Sequence, residues 1–153
     1  MKWLAALAAT TSLAHAEPGF FATAGGGTNV GTPFAAVGVG RRFVGAPFLE
    51  LAVAYSYDRA ISELPFQTLG LAVRTYVARF ARVELYHQAT ASLAMSSSGA
   101  FHDRKLGDRL LGPMLTMGLG VEVALDPCWA VALAVSTGTP VWLRPELAVR
   151  YAF

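Results

Sequence analysis

The chain has 153 residues, of which 54% are hydrophobic and 14% are charged, and its formal net charge is +2. This composition is too apolar for an ordinary water-soluble domain, and so small a net charge does not indicate nucleic-acid binding. The single cysteine, Cys128, excludes an internal disulfide and a multi-cysteine metal site. A membrane-spanning helix needs about 18 or more mostly apolar residues. Glycine and proline interrupt the long charge-free runs 18–40 and 127–143, so neither run is predicted to be a membrane-spanning helix.

The first predicted element is a signal peptide over residues 1–16, "MKWLAALAATTSLAHA". It has a lysine at position 2, a short apolar middle and a small residue on each side of His15, which is the pattern of a secretory signal and its cleavage site. An amphipathic first helix is the alternative, but the segment has no charged face. Cleavage is expected to leave residues 17–153 as one domain.

Most of residues 17–153 alternate between large apolar side chains and small or polar ones, which is the period of a half-exposed β-strand. In the cleanest stretch, 115–125, leucine, methionine and valine occupy every second position, opposite threonine, glycine, glutamate and alanine. The pattern predicts eight strands, at 19–27, 34–44, 48–57, 66–78, 83–94, 114–125, 129–137 and 141–153. The phase of the first strand stays open because its sequence is rich in glycine.

The segments between these strands are alternately long and short over most of the chain, as in an antiparallel up-and-down meander. In a soluble eight-stranded barrel, the large apolar residues would fill the interior and the other face would meet water. That other face is mostly alanine, glycine, serine and threonine, which suits the narrow interior of eight closed strands. We therefore predict an all-β fold, a closed antiparallel up-and-down eight-stranded transmembrane β-barrel with its leucine and valine face in lipid. A secreted soluble ligand-binding barrel is the less favoured alternative.

Charged residues on the small-residue face are expected inside the barrel. The predicted lumen charge network has four residues of each sign: Arg42, Glu50, Arg74, Glu84, Glu122, Arg144, Glu146 and Arg150. Tyr76, Tyr86 and Gln88 are expected to join it. Unpaired charges in so narrow a space are unfavourable, whereas guanidinium and carboxylate groups satisfy one another. A structural plug is the favoured interpretation, and a gated pore or a proton path is the alternative.

The last predicted strand has apolar residues at alternate positions, Leu147, Val149, Tyr151 and Phe153, and its final residue is aromatic. This ending resembles the C-terminal insertion signal of Gram-negative outer-membrane barrels, and the strand number and size resemble the small OmpA/OmpX-type barrels. The resemblance implies an outer-membrane location, contact with outer-membrane lipids including lipopolysaccharide, and recognition by the barrel-assembly machinery. We expect a monomer without a cofactor.

Two residues depart from this pattern. Pro145 lies within the last strand, where it is tolerated at a bulge or where its missing N–H is not needed. The alternation directs His87 toward lipid near the middle of its strand, and either a neutral imidazole or a shifted register would explain it.

Aromatic residues near the predicted strand ends are typical of the belts at a membrane surface, although ordinary strand propensity also favours them. We expect one belt at the periplasmic border and another toward the outside. The first would contain Phe43, Phe48, Phe80, Trp129, Tyr151 and Phe153, and the second Tyr55, Tyr57, Phe66 and Phe101.

The longest connection, residues 95–112, is predicted to be a surface loop carrying His102, Asp103, Arg104 and Lys105. Its cations suit lipopolysaccharide phosphates, and a solvated loop without a partner is the alternative. The same loop holds Ser96, Ser97, Ser98 and Asp108, so a lipid A-modifying enzyme is a second alternative. The sequence has no Gly-x-Ser-x-Gly elbow, phosphate-binding glycine loop or metal-ligand cluster. We therefore predict a protein that is not an enzyme.

Overall fold

The computed structural model describes residues 19–29, 31–43, 48–61, 64–96, 111–139 and 143–153. They form eight strands: β1 Phe20–Asn29, β2 Thr32–Phe43, β3 Phe48–Ile61, β4 Leu64–Phe80, β5 Val83–Ser96, β6 Leu111–Ala124, β7 Trp129–Thr139 and β8 Arg144–Ala152. All eight predicted strands are confirmed, and the largest difference is the end of β3, which continues to Ile61 instead of ending at residue 57. The predicted signal peptide, residues 1–16, lies outside the described residues and stays a prediction.

The strands form one antiparallel sheet in which each strand pairs with its neighbours in the sequence. β8 pairs with β1, with Tyr151 opposite Ala22 and Leu147 opposite Gly26, so the sheet closes into a barrel. No helix in the described part of the chain is long and apolar enough to cross a bilayer. The predicted closed up-and-down barrel is confirmed.

Large apolar side chains cover the outside of the barrel. Leu71, Leu119 and Met117 are 64%, 63% and 61% exposed, whereas the inward-facing Tyr86 and Ala132 are 1% and 2% exposed. A continuous apolar surface of this kind is poorly solvated by water. Hydrocarbon solvates it well, and a closed sheet leaves no unpaired backbone edge in contact with lipid. The predicted orientation, with the large residues outside and the small residues inside, is confirmed.

The phase of β1 is set by its two phenylalanines. Phe20 is 52% exposed on the outside, and Phe21 is 2% exposed inside. The same alternation places Gly25 inside, opposite Ala148 of β8. A Cβ added to Gly25 would lie only 2.7 Å from the Ala148 Cβ, so glycine allows the close approach of the two strands that close the barrel.

β4 contains an irregularity in its pairing with β5 between Tyr76 and Ala78. A bulge of this kind adds one residue to a strand and reverses the alternation beyond it. Tyr76 and Arg79 therefore both face the lumen, and Arg79 lies opposite the inward-facing Glu84. An unbroken alternation would have directed Arg79 to lipid.

Two aromatic residues expected in the lipid-facing belts lie inside instead. Phe48 packs against the inward-facing Tyr76 and Tyr86, and Phe66 is 3% exposed. Both alternate with an outward-facing neighbour, and the strand alternation outweighs the preference of aromatic residues for the membrane border. The other described members of the belts are exposed, namely Phe43, Tyr55, Tyr57, Phe80, Trp129, Tyr151 and Phe153. Phe101 lies outside the described residues.

The strands differ in length around the barrel. β3, β4, β5 and β6 have 14, 17, 14 and 14 residues, whereas β1, β2, β7 and β8 have 10, 12, 11 and 9. The pairing of β6 with β7 begins at Leu115, so residues 111–114 extend beyond β7. The wall is therefore taller on the side of β3 to β6, at the end of the barrel opposite Phe153.

Candidate functional site

The larger cluster of charged side chains lies inside the barrel, toward the end that holds Phe153. Arg42 of β2 is its centre. The Arg42 Nε donates to Glu50 Oε1 of β3 at 2.6 Å, and its Nη2 lies 3.1 Å from Glu84 Oε2 of β5 and 3.5 Å from Glu122 Oε1 of β6. One guanidinium therefore connects four strands across the lumen.

Arg150 of β8 completes this cluster from the other side. Its Nη2 lies 2.7 Å from Glu50 Oε1, and its Nη1 lies 2.6 Å from Glu122 Oε1. The Tyr76 hydroxyl lies 3.0 Å from Glu50 Oε2 and 3.2 Å from Glu122 Oε2, within donating distance of both. Because these side chains are almost fully buried, removal of any one charge would leave its partner poorly compensated.

Two further arginines of β4 extend the cluster. Arg74 Nη1 lies 3.7 Å from Glu122 Oε2, and Arg79 Nε lies 3.0 Å from Glu84 Oε1. Arg74 was expected in the lumen, but Arg79 was missed. The reason is the bulge in β4, because a strict period of two assigns Arg79 to the outside.

Every arginine of the lumen, within the described residues, lies over an aromatic ring. The guanidinium carbon lies 4.4 Å from the ring centroid for Arg42 and Tyr76, 4.7 Å for Arg74 and Tyr86, 5.9 Å for Arg79 and Phe48, 3.7 Å for Arg144 and Phe34, and 4.4 Å for Arg150 and Phe21. A guanidinium is planar and weakly hydrated, so a ring face stabilises it where water is scarce. This pairing accounts for three of the four phenylalanines inside the barrel, and the fourth is Phe66.

Of the three neutral residues expected to join the network, only Tyr76 has a hydrogen bond to it among the described residues. The Tyr86 hydroxyl is buried without a hydrogen-bond partner there, and the Tyr86 ring packs 5.5 Å from the Tyr76 ring. Gly120 lies opposite Tyr86, and a Cβ at Gly120 would overlap the Tyr86 ring. Gln88 lines a cavity beside the cluster.

A second, smaller charge cluster lies at the other end of the lumen. Asp58 is 0% exposed, and its Oδ2 accepts a hydrogen bond from Asn29 Nδ2 at 3.2 Å and lies 3.5 Å from Arg144 Nη1. Arg144 was expected inside, whereas Asp58 and Asn29 were missed because the predicted strands ended at residues 57 and 27. Among the described residues, Asp58 is thus the carboxylate within ion-pair distance of Arg144.

A cavity of about 90 Å³ lies between the two clusters. Its polar lining includes Thr90, Ser92, Thr116 and Ser136, and Glu146 also faces it. Among the described residues Glu146 has no ion pair, so it is in the lumen as expected but outside the network. A cavity of this volume and polarity accommodates a few water molecules, which allows Glu146 to remain hydrated.

The charges inside the barrel balance. Within the described residues the lumen holds Arg42, Arg74, Arg79, Arg144 and Arg150 together with Glu50, Asp58, Glu84, Glu122 and Glu146. Equal numbers of opposite charges leave no excess charge that would attract an ion of one sign. No group of three or more histidine, cysteine or acidic side chains in the described ranges is arranged to hold a metal ion.

The predicted insertion signal lies on the outside of β8. Leu147, Val149, Tyr151 and Phe153 are 55%, 43%, 40% and 66% exposed. The Phe153 N–H donates to the Phe20 carbonyl at 2.9 Å, which joins the end of the chain to β1. Pro145 lies opposite Val135 of β7 but beyond the last partner pair of β8 and β1, where no pairing with β1 requires its missing N–H.

The predicted surface-loop residues His102, Asp103, Arg104 and Lys105 lie in 97–110, outside the described residues. The connection joins the end of β5 to the start of β6, at the end of the barrel opposite Phe153. Its predicted contacts, and the alternative of a catalytic role for its serines and His102, therefore stay predictions.

Comparison with protein-family models gives no match for this chain, and comparison with curated protein sequences also gives none. Solved structures do match. The N-terminal β-barrel domain of Pseudomonas aeruginosa OprF is similar with a TM-score of 0.70 and 12% identity, over 90% of this chain and 100% of that one. A de novo designed transmembrane β-barrel gives 0.64 and 15%, over 90% and 98%. Neisserial surface protein A gives 0.57 and 16%, over 89% and 96%.

These likenesses establish the architecture, since identities of 12–16% carry the fold and no more. A designed barrel is among the matches, and its similarity reflects the geometry of eight closed strands. The chain therefore has the fold of an eight-stranded outer-membrane β-barrel. Its apolar outer surface agrees with the outer-membrane location expected from the sequence.

Proposed function

We propose that the chain is an integral outer-membrane barrel whose lumen is closed by its charge clusters, and that it serves a structural or surface-interaction role without catalysis. The observation that carries this proposal is the cluster around Arg42, in which one guanidinium contacts carboxylates from three other strands. Arg150 contacts two of the same carboxylates from β8. Cross-lumen ion pairs of this kind occupy the space that a permeant ion would need.

The membrane location is tested by fractionation. The protein is expected in the outer-membrane fraction after alkaline extraction, because large apolar side chains cover most of its outer surface. Recovery in the periplasmic supernatant would instead support the secreted soluble barrel.

The closed lumen is tested by conductance in planar bilayers. Purified protein is expected to give no large, stable channel, since eight strands leave room only for side chains and little water. The double variant Glu50→Ala, Glu122→Ala is the comparison, because it removes the two carboxylates that hold both Arg42 and Arg150. A reproducible large conductance in the unmodified protein would contradict the plug.

Surface interaction is proposed for the connection between β5 and β6. Support comes from its sequence, which combines His102, Arg104 and Lys105, and from its attachment to the taller side of the barrel. Arginine and lysine match the phosphate groups of lipopolysaccharide in charge and geometry. The proposed partner is thus the phosphorylated head of an outer-leaflet lipid.

The test replaces residues 102–109, "HDRKLGDR", with a Gly/Ser segment of the same length. A scrambled segment of the same composition is the matched control, because it keeps the charge. The neutral variant is expected to bind lipopolysaccharide vesicles more weakly and to keep the barrel folded. Equal binding by all three forms would exclude a role for these charges.

The enzymatic alternative is settled with the same purified protein. If His102 were catalytic, the protein would change the acylation of added lipid A, and His102→Ala would abolish the change. We expect no change in acylation with either form.

The barrel-assembly machinery is the second proposed partner. The support is the exposed, alternating apolar face of β8 and its position beside β1, where the barrel closes. Deletion of Phe153, described in the Discussion, tests this proposal.

A further inference from the structure

His87 is an imidazole on the lipid-facing side of β5. It is exposed, and its cross-strand neighbours are Thr75 of β4 and Leu119 of β6. The pairing of β5 with β6 continues without a shift through this position, so a change of register does not turn His87 inward. Among the described residues neither His87 nor Thr75 has a side-chain hydrogen bond.

Such a pair is unfavourable in hydrocarbon. The transfer of a polar group from water to an apolar medium without a hydrogen bond is unfavourable by about 4–8 kcal/mol on the cyclohexane scale. A neutral imidazole carries one donor and one acceptor, and a hydroxyl carries both functions. Acyl chains offer neither, and a single hydrogen bond between His87 and Thr75 of one chain would still leave the second imidazole nitrogen without a partner in lipid.

The lipid-facing surface next to His87 is nearly flat. The next outward-facing residues of β5 are Ala89 and Ala91, and Ala91 lies in the floor of a shallow groove walled by Leu69, Leu71, Leu93 and Leu115. Small residues at a membrane interface allow backbones to approach closely. The groove and the polar pair thus form one continuous face of β4, β5 and β6, which we call the β5 face.

We propose that the β5 face binds a second copy of this chain within the membrane. Directly opposed residues on neighbouring strands have Cβ atoms about 4.5–5.5 Å apart, so His87 and Thr75 are adjacent on one surface. A two-fold axis between them brings His87 of each copy to Thr75 of the other, and in such an interface each contact occurs twice. The imidazole N–H donates to the threonine oxygen of the other copy, and the threonine hydroxyl donates to the second imidazole nitrogen of its own chain. The reciprocal bonds then satisfy both side chains of both copies, which one chain alone does not achieve.

A dimer formed through the β5 face would replace the monomer expected from the sequence, and its formation does not depend on whether the lumen is closed. A second copy is favoured over an acyl chain because only a protein surface returns both a donor and an acceptor at this depth. It is favoured over another protein because the β5 face is self-complementary, having the donor and its acceptor side by side.

The experiment uses disulfide crosslinking in native outer membranes. The single natural cysteine is exposed, so Cys128→Ser gives a background without cysteine. Ala89→Cys is introduced on the β5 face, and Ala24→Cys, on the outer face of β1, is the matched control because it is also an alanine facing lipid. After oxidation with copper phenanthroline, Ala89→Cys is expected to give several-fold more crosslinked homodimer than Ala24→Cys.

The role of the polar pair is tested in the Ala89→Cys background. His87→Leu removes the hydrogen bonds while keeping the face apolar, and we expect it to lower homodimer formation roughly tenfold, as for two reciprocal bonds of the strength measured in membranes. His87→Gln keeps a donor and an acceptor and is expected to retain most of the dimer. The heat-dependent migration of each variant on SDS gels confirms that its barrel has folded.

Three results would overturn the proposal. One is equal crosslinking at Ala89→Cys and Ala24→Cys, which would indicate random collision. Another is unchanged crosslinking in His87→Leu. The third is a crosslink to a different protein with no homodimer, which would show that the β5 face has another occupant.

Discussion

Glu122 is the carboxylate whose loss is expected to destabilise the barrel most clearly. It lies 2.6 Å from Arg150 Nη1, 3.5 Å from Arg42 Nη2 and 3.2 Å from the Tyr76 hydroxyl, and it is 4% exposed. Hydrogen bonds to charged groups contribute about 1.5–3 kcal/mol each. The sum over the three contacts of Glu122 is therefore an upper limit on the free energy lost when its side chain is removed. Glu122 also borders a small cavity at the end of the lumen, and water entering there would compensate part of the loss. We therefore expect Glu122→Ala to lower the free energy of unfolding by about 3–5 kcal/mol, the range for breaking a buried ion pair.

The assay is reversible denaturant unfolding in lipid vesicles, followed by tryptophan fluorescence. Trp129 lies at the outer surface and reports the loss of its lipid contact. Glu146→Ala is the matched control, since Glu146 also faces the lumen but has no ion pair among the described residues. Its expected effect is smaller than that of Glu122→Ala, because Glu146 faces the cavity and no described arginine lies within ion-pair distance of it.

A double-mutant cycle with Arg150 separates the ion pair from the loss of the side chains. If the two groups act as a pair, Glu122→Ala combined with Arg150→Ala is less destabilising than the two single effects together. Equal losses for Glu122→Ala and Glu146→Ala, or strict additivity in the cycle, would refute a network of dry, mutually dependent charges.

Three further predictions concern folding and assembly. The closed barrel should resist SDS until boiled and migrate differently before and after heating; identical migration with a helical far-UV circular dichroism spectrum would contradict the architecture. Deletion of Phe153 should impair assembly in cells more than refolding in detergent, because it removes the terminal aromatic of the predicted insertion signal; normal assembly would argue against that signal. Gly120→Ala should lower the free energy of unfolding by about 1–3 kcal/mol through overpacking against Tyr86, and this effect of Gly120→Ala should be smaller when it is measured in a Tyr86→Ala background; an equal effect in both backgrounds would mean that the Tyr86 ring is not its cause.

The alternation of residue types was sufficient to predict the strands and most of the lumen. Arg42, Glu50, Glu84, Glu122 and Arg150 follow a strict period of two within strands that have no irregularity at those positions, so their inward direction followed from the sequence. Which arginine meets which carboxylate did not follow, since the pairs form across the lumen between strands distant in sequence.

The features that were missed have particular causes. Arg79 lies beyond a bulge, and nothing in the residues around Tyr76 marks the extra residue in β4. Asp58 and Asn29 lie just past the predicted ends of their strands, where single-sequence boundaries are least reliable. Phe48 was assigned by its residue type rather than by its alternation with Leu49, and its position beneath Arg79 depends on the same bulge.

Because the strands differ in length, the two sides of the barrel differ in height. A cylinder of even height would present the same profile to every neighbour in the plane of the membrane, but here β3 to β6 rise above the rest. The connection carrying Arg104 and Lys105 joins β5 to β6, which both belong to that raised wall. Rotation of the molecule about the membrane normal therefore changes which side, the taller or the shorter, faces a given neighbour. A second copy bound at the β5 face, as proposed, would lie on the same side of the barrel as the connection between β5 and β6, so its contacts within the membrane and any contacts of that connection would coincide on one side of the molecule.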